Sequence, residues 1–214
     1  MKKPILIVSI LLTASISFTS DKQVEDLLSK MRGAYSATQS AQFTVKVTAG
    51  QNALTAECLY QSPFKFRMDV TTPKNGKVSI VSDGKELGLI AGGKTRSQKV
   101  SGDNLGSFIS PLNLEAICFF DWKKQLSTAS GDNMHDSTFK IVQSESWNGK
   151  SWIVLEETAS KQNIFARYFI DPKTYYIWRT TVDQNKKRAS DGQIQSLKIN
   201  PKIDPSKFLV TKGA

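Results

Sequence analysis

The chain has 214 residues, 39% of them hydrophobic, and its 29 Lys+Arg against 19 Asp+Glu give a formal charge of +10. That length fits one domain with a full core or a single large β-structure. The basic excess raises nucleic acid or an anionic membrane as partners, but the lysines are scattered and the one dense run, Lys186-Lys187-Arg188, has no interleaved aromatics and no nucleic-acid motif. Nucleic acid is therefore excluded as a partner. A solvated loop and a docking patch for an acidic partner or anionic head groups both fit that run.

The first segment reads as a secretory signal peptide over residues 1–20. Lys2 and Lys3 give a positive start, Pro4 to Leu12 is apolar, and small or hydroxyl residues follow to Ser20. Cleavage is expected between Ser17 and Ser20; an uncleaved anchor is the alternative, although the apolar run is shorter than the roughly 20 residues of a membrane span. No cysteine lies near the cleavage site, so no lipid anchor is expected there. Residues 21–214 then form a single domain.

The mature start predicts an amphipathic helix. Val24, Leu27, Leu28, Met31 and Tyr35 make one apolar stripe, with Ser20 or Asp21 as N-cap and Gly33 weakening the end. After Ser40 the period changes to two. Phe43, Val45 and Val47 alternate with polar partners, Leu54 to Tyr60 follows, and Phe64, Phe66, Met68 and Val70 alternate with Lys65, Arg67, Asp69 and Thr71. Strands over 77–82, 85–91 and 94–100 are joined at Asp83-Gly84 and Gly92-Gly93, dipeptides that supply the positive φ of tight hairpins. Ser110-Pro111 opens a helical insert, Leu112 to Trp122, apolar on nearly every side, which must be enclosed or cover an apolar opening. Five further strands are expected over 136–147, 150–158, 163–170, 175–183 and 192–200, with turns at Asn148-Gly149 and Asp171-Pro172-Lys173-Thr174. The whole is a mainly β (α+β) chain: one antiparallel meander of about eleven strands, with an N-terminal helix and one helical interruption.

That order resembles the LolA-like periplasmic carriers of outer-membrane lipoproteins. The residues carrying the resemblance are Pro63-Phe64-Lys65-Phe66-Arg67, the hairpin Ile80-Val81-Ser82-Asp83-Gly84-Lys85-Glu86-Leu87, the strand-turn Phe169-Ile170-Asp171-Pro172-Lys173-Thr174, and the closing Asp204-Pro205-Ser206-Lys207-Phe208. The resemblance spans nearly the whole mature chain. It implies a half-open antiparallel β-barrel closed by helices, a periplasmic location, and a non-enzymatic monomer. That monomer would carry acyl chains of lipoproteins or another lipid, with an inner-membrane ABC exporter as donor and an outer-membrane acceptor. The same fold serves periplasmic sensors that act through a protein partner, which is the alternative. Two positions depart from the proteobacterial carriers. Ser62 stands where they have arginine before the strand proline, and Leu87 where they have tryptophan, so any latch of the lid is made differently.

The expected lining comprises Phe43, Val45, Phe66, Met68, Ile80, Leu87, Leu89, Leu155, Phe165 and Trp178, with Ile117, Phe119, Phe120 and Trp122 as the lid. Plain core packing fits each of them as well. Cys58 and Cys118 could form a disulfide or remain two buried thiols. No nucleophile, metal-binding or nucleotide-binding motif is present, so no cofactor, no metal and no catalytic residue are expected. The single histidine, His135, lies in a polar stretch and reads as an exposed loop residue. Glu156 and Glu157 point to opposite sides of a strand and cannot act as a pair; they read as a solvated strand face, with one buried acid as the alternative.

Overall fold

A computed structural model describes residues 22–62, 65–72, 76–99, 137–159 and 163–210. The predicted signal peptide, the insert with its four lid residues, Cys118 and His135 lie outside the described residues.

Helix α1 spans Lys22–Ser36 and buries Val24, Leu27, Leu28, Met31 and Tyr35, the five residues of the sequence stripe. Eleven strands follow: β1 (Ser40–Ala49), β2 (Asn52–Gln61), β3 (Lys65–Thr72), β4 (Gly76–Asp83), β5 (Glu86–Ala91), β6 (Lys94–Lys99), β7 (Ser137–Trp147), β8 (Lys150–Ala159), β9 (Ile164–Ile170), β10 (Ile177–Gln184) and β11 (Lys187–Ile199). They form one antiparallel sheet in the order β6-β5-β4-β3-β2-β1-β11-β10-β9-β8-β7. Two meanders thus meet at the β1/β11 pair, and among the described strands β6 and β7 are the two edges. The half-open barrel expected from the sequence is the fold observed.

The turns match their chemistry. At β4–β5, Asp83 Oδ1 accepts from the Lys85 N–H (2.7 Å) and the Glu86 N–H (2.8 Å), and Gly84 takes φ 94°. Asn148-Gly149 and Gly92-Gly93 have both central residues at positive φ, the geometry that suits tight hairpins. The β10–β11 turn does the same with Asn185 and Lys186. The basic run is therefore not one loop: Lys186 is in the turn, while Lys187 and Arg188 open β11, paired with Gln184 and Asp183. Where β1 begins and β11 ends, Asn200 Oδ1 accepts from the backbone N–H of Gln39 (2.8 Å) and Ser40 (3.2 Å). The Ser40 hydroxyl donates to the Pro201 carbonyl (2.7 Å). These bonds fasten the two central strands at one end.

Register shifts at Thr44/Val45, Val142/Glu145, Ile177/Arg179 and Val182/Asp183 mark bulges. Such insertions bend and twist a sheet locally. The inner face packs on α1 and forms the main core. A smaller cluster of Trp152, Val154 and Phe169, flanked by Val142, Trp147 and Trp178, lies on the outer face of β7–β10. At the other end of the sheet the chain returns over the outer face of β3–β5. Asp204 caps a 3-10 turn (Pro205–Phe208), Phe208 is buried, and a Cβ built on Gly88 would lie 2.6 Å from Val210 Cγ1.

Candidate functional site

The feature with functional potential is the inner face. Residues directly opposite one another in an antiparallel ladder share a face, so the register traces an apolar band across the sheet. From β5 to β11 it runs through Leu89↔Ile80, Ile80↔Met68, Met68↔Cys58, Cys58↔Phe43 and Phe43↔Leu197. On the other half it passes through Ala166, Tyr168 and Ile170 of β9 and through Ile153 and Leu155 of β8. Of the ten strand residues expected to line a hollow, Phe43, Val45, Phe66, Met68, Ile80, Leu87 and Leu155 are buried on this face, and Leu89 is half-buried there.

Phe165 does not share it, and Trp178 shares it only in part, packing against both the main core and the outer cluster. Phe165 is in phase with Arg167 and Phe169, which lie outside, and it pairs with Thr158 and Asp183. Trp178 sits inside the Ile177/Arg179 bulge, and its ring lies 6.1 Å from that of Trp152 in the outer cluster. Simple alternation fails at that extra residue, which is why Trp178 reaches both clusters.

Cys58 is a buried free thiol in the structure. Burial pushes its pKa up, and the charges of Asp69 and Glu57 add to the effect. Ser62 is tied by its backbone, its N–H donating to the Gln39 carbonyl (2.8 Å).

Two polar features interrupt the inner face. Glu157 is 5% exposed and lies on this face, where it accepts from the Tyr168 hydroxyl at 2.6 Å. Burial, then the Glu157 charge and this bond, hold the Tyr168 phenol well above its ordinary range. Glu156 is also buried, on the outer face, bridged by Lys140 (3.0 Å) and Arg167 (3.1 Å). The pair is thus split across the sheet as expected, but neither carboxylate is solvated: a buried charge persists where cations or hydrogen bonds compensate it. The phase of Glu157 with Leu155 and Ile153 was the available signal. The second feature closes one end of the inner face. The hydroxyls of Tyr176 and Thr38 each reach the Ala34 carbonyl at 3.0 Å and lie 2.8 Å apart. The Ile177 N–H donates to the Tyr35 hydroxyl at 3.2 Å. This knot ties the end of α1 to the start of β10.

An open antiparallel sheet curled on one helix, with an apolar inner face, defines a class of half-barrel proteins rather than a sandwich or a closed barrel. Solved structures agree. An uncharacterized conserved protein from Thermus thermophilus matches 87% of this chain and 92% of its own at TM-score 0.58 and 10% identity. MucB matches 91% of this chain at TM-score 0.56 and 15% identity, this chain spanning 65% of MucB. Lipoprotein LppX of Mycobacterium tuberculosis matches 86% of this chain and 99% of its own at TM-score 0.54 and 13% identity. At 10–15% identity these three matches show a shared fold, the half-open sheet that the sequence resemblance implied. No protein-family model matches the sequence, and no curated protein matches it.

Proposed function

We propose that this chain is an exported, non-enzymatic binding protein that holds the acyl chains of a lipoprotein or another lipid against its inner face and carries them between membranes. The observation that carries the reading is the apolar band from Leu89 to Leu155, continuous across both meanders of a sheet whose edges do not pair with each other. Water opposes free transfer of such chains. Each methylene is worth roughly 0.8 kcal/mol, so a chain of about 16 carbons costs about 13 kcal/mol to expose. A carrier needs an apolar face with a cover that can move; the band is buried beneath α1, so in this reading acyl chains reach it when its cover is displaced. The location of LppX among lipoproteins by its printed name is in keeping with an envelope role. In this reading residues 1–20 are removed on export, the insert with Ile117, Phe119, Phe120 and Trp122 covers the bound chains, and donor and acceptor membranes hold an ABC exporter and a receptor.

The test is lipid content. Protein purified from the envelope fraction and examined by native mass spectrometry is expected to carry an extractable lipid. The emptied protein should take up a fluorescent fatty acid. Absence of both rules out the carrier reading. N-terminal sequencing of the same sample is expected to start between residues 18 and 21.

One observation favours a second reading. MucB has been solved in complex with MucA(peri), matching this chain at TM-score 0.50. A sensor of the same fold would deliver its signal to a protein. Recovery of one stoichiometric membrane-protein partner in a pull-down, released when lipid is added, would favour that role.

A further inference from the structure

The arginines of the described residues are nearly all engaged. Arg67 meets Asp69, Arg179 meets Asp191, Arg188 meets Asp183, and Arg167 bridges Glu145 and Glu156. Arg96 is different: it has no carboxylate partner among the described residues, and neither has Lys94. Their place in the sheet is what makes this informative. Arg96 stands directly opposite Leu89, and Lys94 opposite Ala91, so both lie on the inner face, with Gln98 opposite Leu87 completing the row. All three are exposed, and β6 lies at an edge of the described strands. Alternate residues on a strand are about 6.6–6.8 Å apart, so the row forms a short polar lip along the margin of the apolar band.

A solvated edge charge often serves only to block edge-to-edge pairing. That role needs no particular face. Here two cations and an amide occupy the one face that continues into Leu87, Leu89 and Ile80. This is the arrangement an amphiphile with a phosphate head requires: apolar chains against the band, anion at its margin. Guanidinium suits phosphate because its planar fork donates two parallel bonds, and an ammonium adds a point charge beside it.

We propose that Arg96 and Lys94 form the head-group subsite of the inner face and bind the phosphate of an anionic amphiphile whose chains lie along Leu87 and Leu89. The proposal rests on the carrier reading above and adds to it the chemical class of the head group.

The experiment compares dioleoyl phosphatidylglycerol with dioleoylglycerol, which has the same chains and no phosphate, on the full mature protein. The variants are Lys94→Gln/Arg96→Gln and, as a control of equal charge change, Lys150→Gln/Lys173→Gln. All four positions are exposed, so the folded state should tolerate them. The wild type is expected to bind the phosphatidylglycerol about tenfold or more tightly than the neutral lipid, as charge-assisted bonds imply. The lip variant should lose that preference, keep its affinity for dioleoylglycerol, and differ from the control variant, which keeps the preference. Equal binding of the two lipids by the wild type, or a preference unchanged in the lip variant, overturns the proposal and leaves the carrier reading standing. Binding of neither lipid overturns both. Displacement of phosphatidylglycerol by millimolar inorganic phosphate would show a free-anion site and overturn the amphiphile assignment.

Discussion

Replacing Phe208 with alanine tests whether the C-terminal return segment is part of the folded domain. Phe208 is 1% exposed and lies against β3 and β4, while its neighbour Leu209 is 59% exposed. Asp204, whose side chain accepts from the Ser206 N–H at 2.9 Å, sets the turn that aims the ring inward. Truncating a buried phenylalanine removes its transfer free energy and leaves a cavity, together about 3–5 kcal/mol. For a domain of this size each kcal/mol lowers the melting temperature by about 2–4 °C, so the expected drop is roughly 6–20 °C. Urea unfolding followed by the fluorescence of the 4 tryptophans gives the free-energy change directly. Leu209→Ala serves as the surface control and should stay within about 0.5 kcal/mol of wild type. If Phe208→Ala costs less than about 1 kcal/mol, no more than its control, the segment does not dock in solution and the burial argument is wrong.

Three further outcomes are expected. Tyr176→Phe removes the hydroxyl that meets Ala34 and Thr38 and should cost about 1–3 kcal/mol in the same unfolding assay. Burial raises the pKa of Asp69, but hydrogen bonds from Arg67, Ser79 and Lys77 outweigh it and the carboxyl titrates below its ordinary value. A depressed folded pKa contributes stability above the unfolded value of roughly 3.9. Asp69→Asn should therefore destabilise at pH 7 by about 1 kcal/mol or less, and the gap from wild type should close as pH falls through the folded pKa. A gap that persists in acid would contradict the linkage. Finally, native Cys118→Ser protein should not react with a thiol reagent, because burial suppresses the Cys58 thiolate. Denatured, non-reduced wild type should expose both of its 2 cysteines as thiols, whereas a disulfide would leave none.

The regular parts of the fold were legible because burial imposes a period. The α1 stripe and the alternation of β1 and β3 each have one packed side and one wet side, so residue spacing alone assigns the inner face there. The legibility ends where both faces are covered. β9 reads Ile164-Phe165-Ala166-Arg167-Tyr168-Phe169-Ile170, with large apolar groups in both phases, and Phe169 is buried outside while Tyr168 is buried inside. Period cannot choose there, which is how Phe165 was placed on the wrong side. Trp178 sits at a bulge, a one-residue insertion that leaves no mark in composition, and so packs toward both clusters. Composition cannot choose between a solvated and a buried Glu157, because a carboxylate is rarely buried; its tertiary partner Tyr168, on the next strand, decides it. The lip at β6 was hidden for another reason: Lys94-Thr95-Arg96 looks like any hydrophilic strand until the pairing with β5 shows which way Arg96 faces.

The strand order has a consequence for how the molecule comes into being. The centre of the sheet is the β1/β11 pair, made from the first and last strands of the chain. Until β11 has left the ribosome, β1 has no partner on that side and the two meanders have nothing to join them. Long-range pairing of this kind forms slowly. The two meanders therefore join late, and the centre of the sheet is among the last parts of the architecture to form.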